Sequence, residues 1–171
     1  MNDWPDEDVA CQGVLGPLRL DDVLFAATKA NRIAPLQVVR HDRVVGADHV
    51  RSAAAHARRA FGEGRNHAER LEVEFTRYLA GERQIRRAIE KMGIEDGAAA
   101  GLVVAFGPKR VDAVRYFVHS LGLREDDGVL AADHARLRAF GITDAQLAAT
   151  DAEHQLDLAL EAVAGVDLMR A

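Results

Sequence analysis

Cysteine is almost absent from this chain of 171 residues. Cys11 stands alone, which excludes an intrachain disulfide and any zinc site built from cysteines, and suits a reducing compartment. Within its expected strand it reads as a small buried apolar residue. No apolar run approaches the ~20 residues a membrane helix requires. The start MNDWPDEDV is acidic where a signal peptide is basic, so a soluble, cytoplasmic protein without membrane contact is expected. Signatures of chemistry are missing too: no H-E-x-x-H, no Cys/His pair at ligand spacing, no Walker lysine followed by Ser or Thr, no G-x-G-x-x-G and no G-x-S-x-G. The chain has seven histidines, of which His49 and His56 lie two turns apart on one helix, too far for one ion. The carboxylate pairs Glu72/Glu74 and Asp126/Asp127 have no neighbour that would raise one pKa for acid–base work. A non-enzyme without metal or cofactor is expected.

Hydrophobic residues make up 49%, many of them alanine, which suits close-packed helices. The length fits one domain over 1–171, with neither internal repeat nor low-complexity linker. The net charge of −5 argues at first against nucleic acid, but it is unevenly spread. Residues 1–31 hold 2 basic and 6 acidic side chains, 32–91 hold 13 and 8, and 92–171 hold 7 and 13, giving −4, +5 and −6. A basic middle third can steer a phosphate chain even on an acidic protein. Of the 22 basic residues 19 are arginine, a bias that suits bidentate phosphate contacts and that genome composition explains equally well.

Residues 9–15 read as a strand ended by Gly16-Pro17, after a frayed start over 1–8. Asp21 or Asp22 caps a helix ending near Asn31, and Leu36–Arg40 is a second strand. Asp48 caps a helix carrying Val50, Ala53, Ala54, Ala57 and Phe61, stopped at Gly62 or Gly64. The continuous apolar run Leu102–Phe106 reads as a central strand buried on both faces, preceded by a loosened Gly97–Ala100. A helix from Val111 to Leu121 follows. From Asp133 onward the chain is helical, with Thr143-x-x-Gln146 and Thr150-x-x-Glu153 as capping boxes, and Leu156, Leu160 and Val163 in the last core stripe.

Sequence information concentrates in RNHAERLEVEFTRYLAGERQIRRAIEKMG, residues 65–93. Leu71, Val73, Phe75 and Leu79 alternate with Glu72, Glu74, Thr76 and Tyr78, the period-two pattern of a strand, with Arg77 breaking its inward face. After a turn at Ala80-Gly81 the period becomes helical, with Ile85, Ala88, Ile89 and Met92 towards the core and Gly93 closing. The helix is expected to open with Glu82-Arg83-Gln84, and its free N–H groups attract anions. Arg83, Arg87 and Lys91 follow at i, i+4, i+8. On composition alone such a stripe is ordinarily a solvated helix face.

The pattern RN-x-A-x-x-L-x-x-E-x-x-x-Y-L-x-G-x-RQI-x-x-AI-x-K-x-GI, carried by Arg65 to Ile94, resembles the Cgi/TPRKB family, the PRPK-binding subunit of the KEOPS tRNA-modification complex, in its archaeal form. Weaker echoes occur at Phe140–Asp144 and around Glu161 and Val163. Thr76-Arg77 depart from the apolar residues usual before the tyrosine, which puts the buried face of this stretch in question. The resemblance implies an α+β fold, a small four-stranded mixed or antiparallel sheet wrapped by about seven helices. It also implies a non-catalytic accessory subunit that binds the small atypical kinase, meets other KEOPS subunits indirectly, and recruits tRNA by its 3′ CCA end for threonylcarbamoyl-adenosine formation. The polar family positions retained are Arg65, Asn66, Arg83, Gln84 and Lys91; with Arg87 they form the expected tRNA 3′-end site. The alternatives are a protein-only adaptor that activates the kinase without touching RNA, and a small phosphate-ligand enzyme using the loop Gly62–Asn66.

Overall fold

Strand β2 (Val9–Leu18) is the longest in the chain and pairs antiparallel with β4 (Ala98–Phe106), whose other edge takes β3 (Leu36–Val39). The short β1 (Asn2–Trp4) and β5 (Arg124–Glu125) follow one another along the outer edge of β2. The protein is thus α+β, with five strands, all paired antiparallel, and eight α-helices among residues 1–168, which this computed structural model describes. Chain contacts group these residues into two compact units: Met1–His41, Arg70–Glu72 and Gly93–Leu130 in the first, and Asp42–Glu69, Val73–Met92 and the residues from Ala131 in the second.

The first unit holds the sheet. In register, Ala10 of β2 faces Ala105 of β4, which faces Leu36 of β3. With Val14, Val38 and Val103 these side chains form a core with α1 (Leu20–Ala30) and α5 (Arg110–Ser120), to which the helices give Val23, Ala26, Val114 and Phe117. Strand β4 is central and fully buried over Leu102–Ala105, as its unbroken apolar run requires. Its first residues, Ala98–Ala100, are strand and not a loosened loop. Gly16-Pro17 does not end β2 either, since pairing resumes at Leu18 after a register shift. At Gly13 the chain segment around Val129 approaches so closely that a Cβ would lie 2.2 Å from the Asp126 carbonyl oxygen.

The second unit is helical. Helix α2 (Ala47–Gly62) starts after Gly46, with Asp48 in its first turn and not at its cap, and buries Val50, Ala53, Ala54, Ala57 and Ala60. Helices α6 (Ala135–Phe140), α7 (Asp144–Ala149) and α8 (Asp157–Gly165) contribute Leu137, Phe140, Leu147 and Ala159 to a separate core. Thr143 and Gln146 form the expected capping box, the Gln146 N–H donating to Thr143 Oγ1 at 3.2 Å and the Thr143 N–H to Gln146 Oε1 at 3.0 Å. Thr150 and Glu153 form none; Ala152–His154 is a 3-10 turn preceded by Asp151.

The main correction concerns residues 71–79. They are not a strand but helix α3 (Leu71–Ala80), buried on almost every side from Glu74 to Ala80. Phe75, Thr76 and Leu79 recur at helical spacing, and alternation of apolar and polar residues mimicked a half-exposed strand only because Glu74, Thr76 and Arg77 are themselves buried. Glu74 and Arg77 form an ion pair three residues apart, a separation that brings side chains together on a helix and not on a strand.

Candidate nucleic-acid interface

Helix α3 ends in a Schellman closure. Gly81 takes φ +63°, its N–H donates to the Tyr78 carbonyl at 3.0 Å, and the Glu82 N–H donates to the Arg77 carbonyl at 3.0 Å. A three-residue lead-in then delivers α4 (Ile85–Met92). Gln84 is the residue at its entrance, its carbonyl accepting the Ala88 N–H at 3.0 Å. Glu82, Arg83 and Gln84 therefore precede the helix and do not form its first turn. The N–H groups of that turn lack intrahelical acceptors, and no acidic side chain occupies it.

Beside this entrance lies an open depression lined by His67, Arg83, Gln84 and Ile85. Arg83 and Gln84 are the two expected site residues that the fold brings together here. Among the described residues the Arg83 guanidinium has no hydrogen-bond or ion-pair partner, and neither has that of exposed Arg87, on the next turn. His67 was not among the expected residues. It is exposed, and its imidazole is likewise without a partner among the described residues.

Two residues that line the depression, His67 and Arg83, share one support. Glu74 Oε2 accepts the N–H of His67 at 3.1 Å and of Ala68 at 2.8 Å, while its Oε1 accepts from Arg77. Arg77 Nε in turn donates to the Arg83 carbonyl at 2.7 Å. Both charged side chains are almost wholly buried, so each hydrogen bond satisfies a group that water does not reach.

The remaining expected residues are engaged by partners within the chain. Lys91 lies on the last turn of α4, donates to the Ala80 carbonyl at 2.7 Å and sits 3.8 Å from the centre of the Phe140 ring; burial draws its pKa below the usual lysine range. Asn66 donates to the Ala68 carbonyl at 2.9 Å, fixing the loop. Arg65 pairs with Glu63, Nε to Oε2 at 2.7 Å, and with Asp167 at 3.3 Å, and these bonds raise its pKa further. The core stripe of α4 is narrower than its periodicity suggests: Ala88 and Met92 are buried, Ile85 is half-buried and Ile89 is 48% exposed. Gly93 does not take a positive φ.

No family model matches the chain, and no curated protein matches its sequence.

Asp167 gathers a second polar cluster that no sequence signal announced. Its Oδ1 accepts the Tyr78 hydroxyl at 2.6 Å and Arg65, and its Oδ2 lies 2.9 Å from His56 Nδ1. Burial alone would raise this carboxyl, but the bonds from Tyr78, His56 and Arg65 prevail and hold it below the usual range. Burial and the bond to Asp167 push the Tyr78 phenol up. His56 is thus an internal partner, and among the described residues no group of three or more His, Cys, Asp or Glu side chains is placed to hold a metal ion.

Proposed function

We propose that this protein is a non-catalytic accessory subunit of a KEOPS-type complex that binds the small atypical kinase and recruits tRNA through its single-stranded 3′ CCA end, in the cytoplasm. The observation that carries the RNA half is the convergence of Arg83 and Gln84 on one open depression at the entrance of α4, with the guanidiniums of Arg83 and Arg87 unspent on internal partners. A guanidinium, an amide and free helix N–H groups are what an unpaired nucleotide needs: charge for its phosphate and hydrogen bonds for its base edge. The kinase half rests on the resemblance over residues 65–94. It is supported by apolar side chains left exposed outside this depression, among them the neighbouring Leu24 at 56% and Phe25 at 68% on α1.

The deciding experiment is a gel shift with intact tRNA beside tRNA trimmed of its CCA. Retarded migration of the intact species, much weakened by trimming, is expected. Equal binding of both would remove the 3′ end as the ligand. Binding of neither, together with retained kinase association, would establish the protein-only adaptor.

A further inference from the structure

Two features of the depression have no place in the sequence-derived site: the exposed imidazole of His67, and the buried charged pair bonded to its backbone. We infer that His67 is a second ligand-contacting side chain, offering a stacking surface to a nucleobase whose phosphate meets Arg83, and that Glu74 and Arg77 are positioning residues that tie the backbone at His67 to the backbone at Arg83. This rests on the reading of the depression as a site for single-stranded nucleic acid.

The physical argument begins with cost. A buried ion pair contributes little net stability compared with apolar side chains of similar volume, because both charges must be stripped of water. Glu74 at 0% and Arg77 at 1% exposure are buried with the apolar residues of α3. What an apolar pair would lack is reach. Glu74 captures two consecutive N–H groups at His67 and Ala68, Arg77 captures the carbonyl of Arg83, and the pair closes the bridge between them. The two residues so anchored, His67 and Arg83, both line the one depression. Loops carrying a binding site are ordinarily the mobile part of a fold; here the backbone at His67 and at Arg83 is tied to one buried helix. A preorganised site loses less entropy on binding. An imidazole ring and the half-buried Ile85 supply flat and apolar surface for a base, and Arg83 supplies the cation for the adjoining phosphate.

The test has two arms. In the first, tRNA binding is compared for the parent, His67→Ala and His67→Phe. Removing one aromatic stacking contact is expected to weaken binding roughly 5- to 100-fold in the alanine variant, with the phenylalanine variant restored to near the parent. Unchanged binding by His67→Ala, or a phenylalanine variant as weak as the alanine one, would overturn the stacking assignment. The second arm uses no ligand. In the double variant Glu74→Leu/Arg77→Met, and in Glu74→Gln should the double variant not fold, faster amide hydrogen exchange at His67 and Ala68 is expected while the amides of α2 and α8 keep their parent rates. Parent rates at those two amides in the folded variant would overturn the positioning role. If the parent itself binds no tRNA, the functional reading fails on the first arm while the second still decides the positioning role.

Discussion

His49 Nε2 lies 3.0 Å from the carbonyl oxygen of Leu79, across from α2 to α3, while its Nδ1 accepts the Val45 N–H at 3.2 Å. Because a backbone N–H can only donate, Nδ1 must be the unprotonated nitrogen and Nε2 carries the hydrogen. The neutral ring is therefore satisfied on both sides, and burial pushes its pKa down to about 4, the Leu79 bond opposing this in part.

A pH dependence follows from that geometry. The unfolded chain takes up a proton at His49 near pH 6.5 and the folded chain only near 4. Above pH 6.5 the ring is neutral in both states and stability is full; it declines as pH falls through this window, by roughly 3 kcal/mol in total. Urea denaturation at pH 7 and pH 4.5 should show the loss, and His49→Gln, weaker at pH 7, should show a flatter slope between them.

A separate acid limb belongs to Asp167. Its carboxyl is held below the ordinary 3.8 in the fold, so its contribution is present above that value and is lost as pH falls through the lowered one. Tyr78→Phe removes the bond at 2.6 Å and is expected to cost about 1 kcal/mol at pH 7, reduced from the buried case because Asp167 retains some solvent contact. Thermal melts of the variant at pH 7 and pH 3 should differ less than those of the parent.

On α4 the cost of a buried charge should depend on position within four residues. Ala88 is 1% exposed and Ile89 48%, so Ala88→Asp should destabilise by about 3 kcal/mol or more, whereas Ile89→Asp should stay within roughly 0.5. Ile85→Asp should fall between them in melting temperature and lower tRNA affinity, since it places a carboxylate in the depression.

Arg83→Ala removes a guanidinium with no internal partner, so its melting temperature should match the parent's. In a salt titration of tRNA binding the variant should bind more weakly, with a slope lower by about one or less. Lys91→Ala should behave in the opposite way, losing stability through its Ala80 and Phe140 contacts with little change in slope. Equal binding by the parent and Arg83→Ala across the titration would place the RNA elsewhere.

The legible parts of the fold were those whose burial follows the period of their own element. Leu102–Phe106 announced the central strand and Val114, Phe117 and Val118 announced α5, because in both the apolar residues alone mark the buried side. Helix α3 reads as a strand because Glu74, Thr76 and Arg77 lie inside; a polar residue satisfied by a remote backbone looks, in one dimension, like a residue facing water. The basic stripe was half legible. Arg83 and Lys91 are eight residues apart, but the helix begins only at Ile85, so they do not share its face, and the ammonium of Lys91 sits over the Phe140 ring. The bond from Tyr78 to Asp167 spans 89 residues, and nothing in local spacing encodes it. Strands β1 and β5 have three and two residues, too few for any period.

The lone thiol gains a use from its place in the sheet. Cys11 is paired to Asn2 on one side and Val104 on the other, is fully buried, and burial pushes its pKa up to about 12. Alkylating reagents react with thiolate, so the native chain should be almost inert to them at neutral pH. Modification must then await separation of β2 from its neighbours, and in denaturant its rate becomes an internal clock for the opening of the sheet, readable without any engineered label.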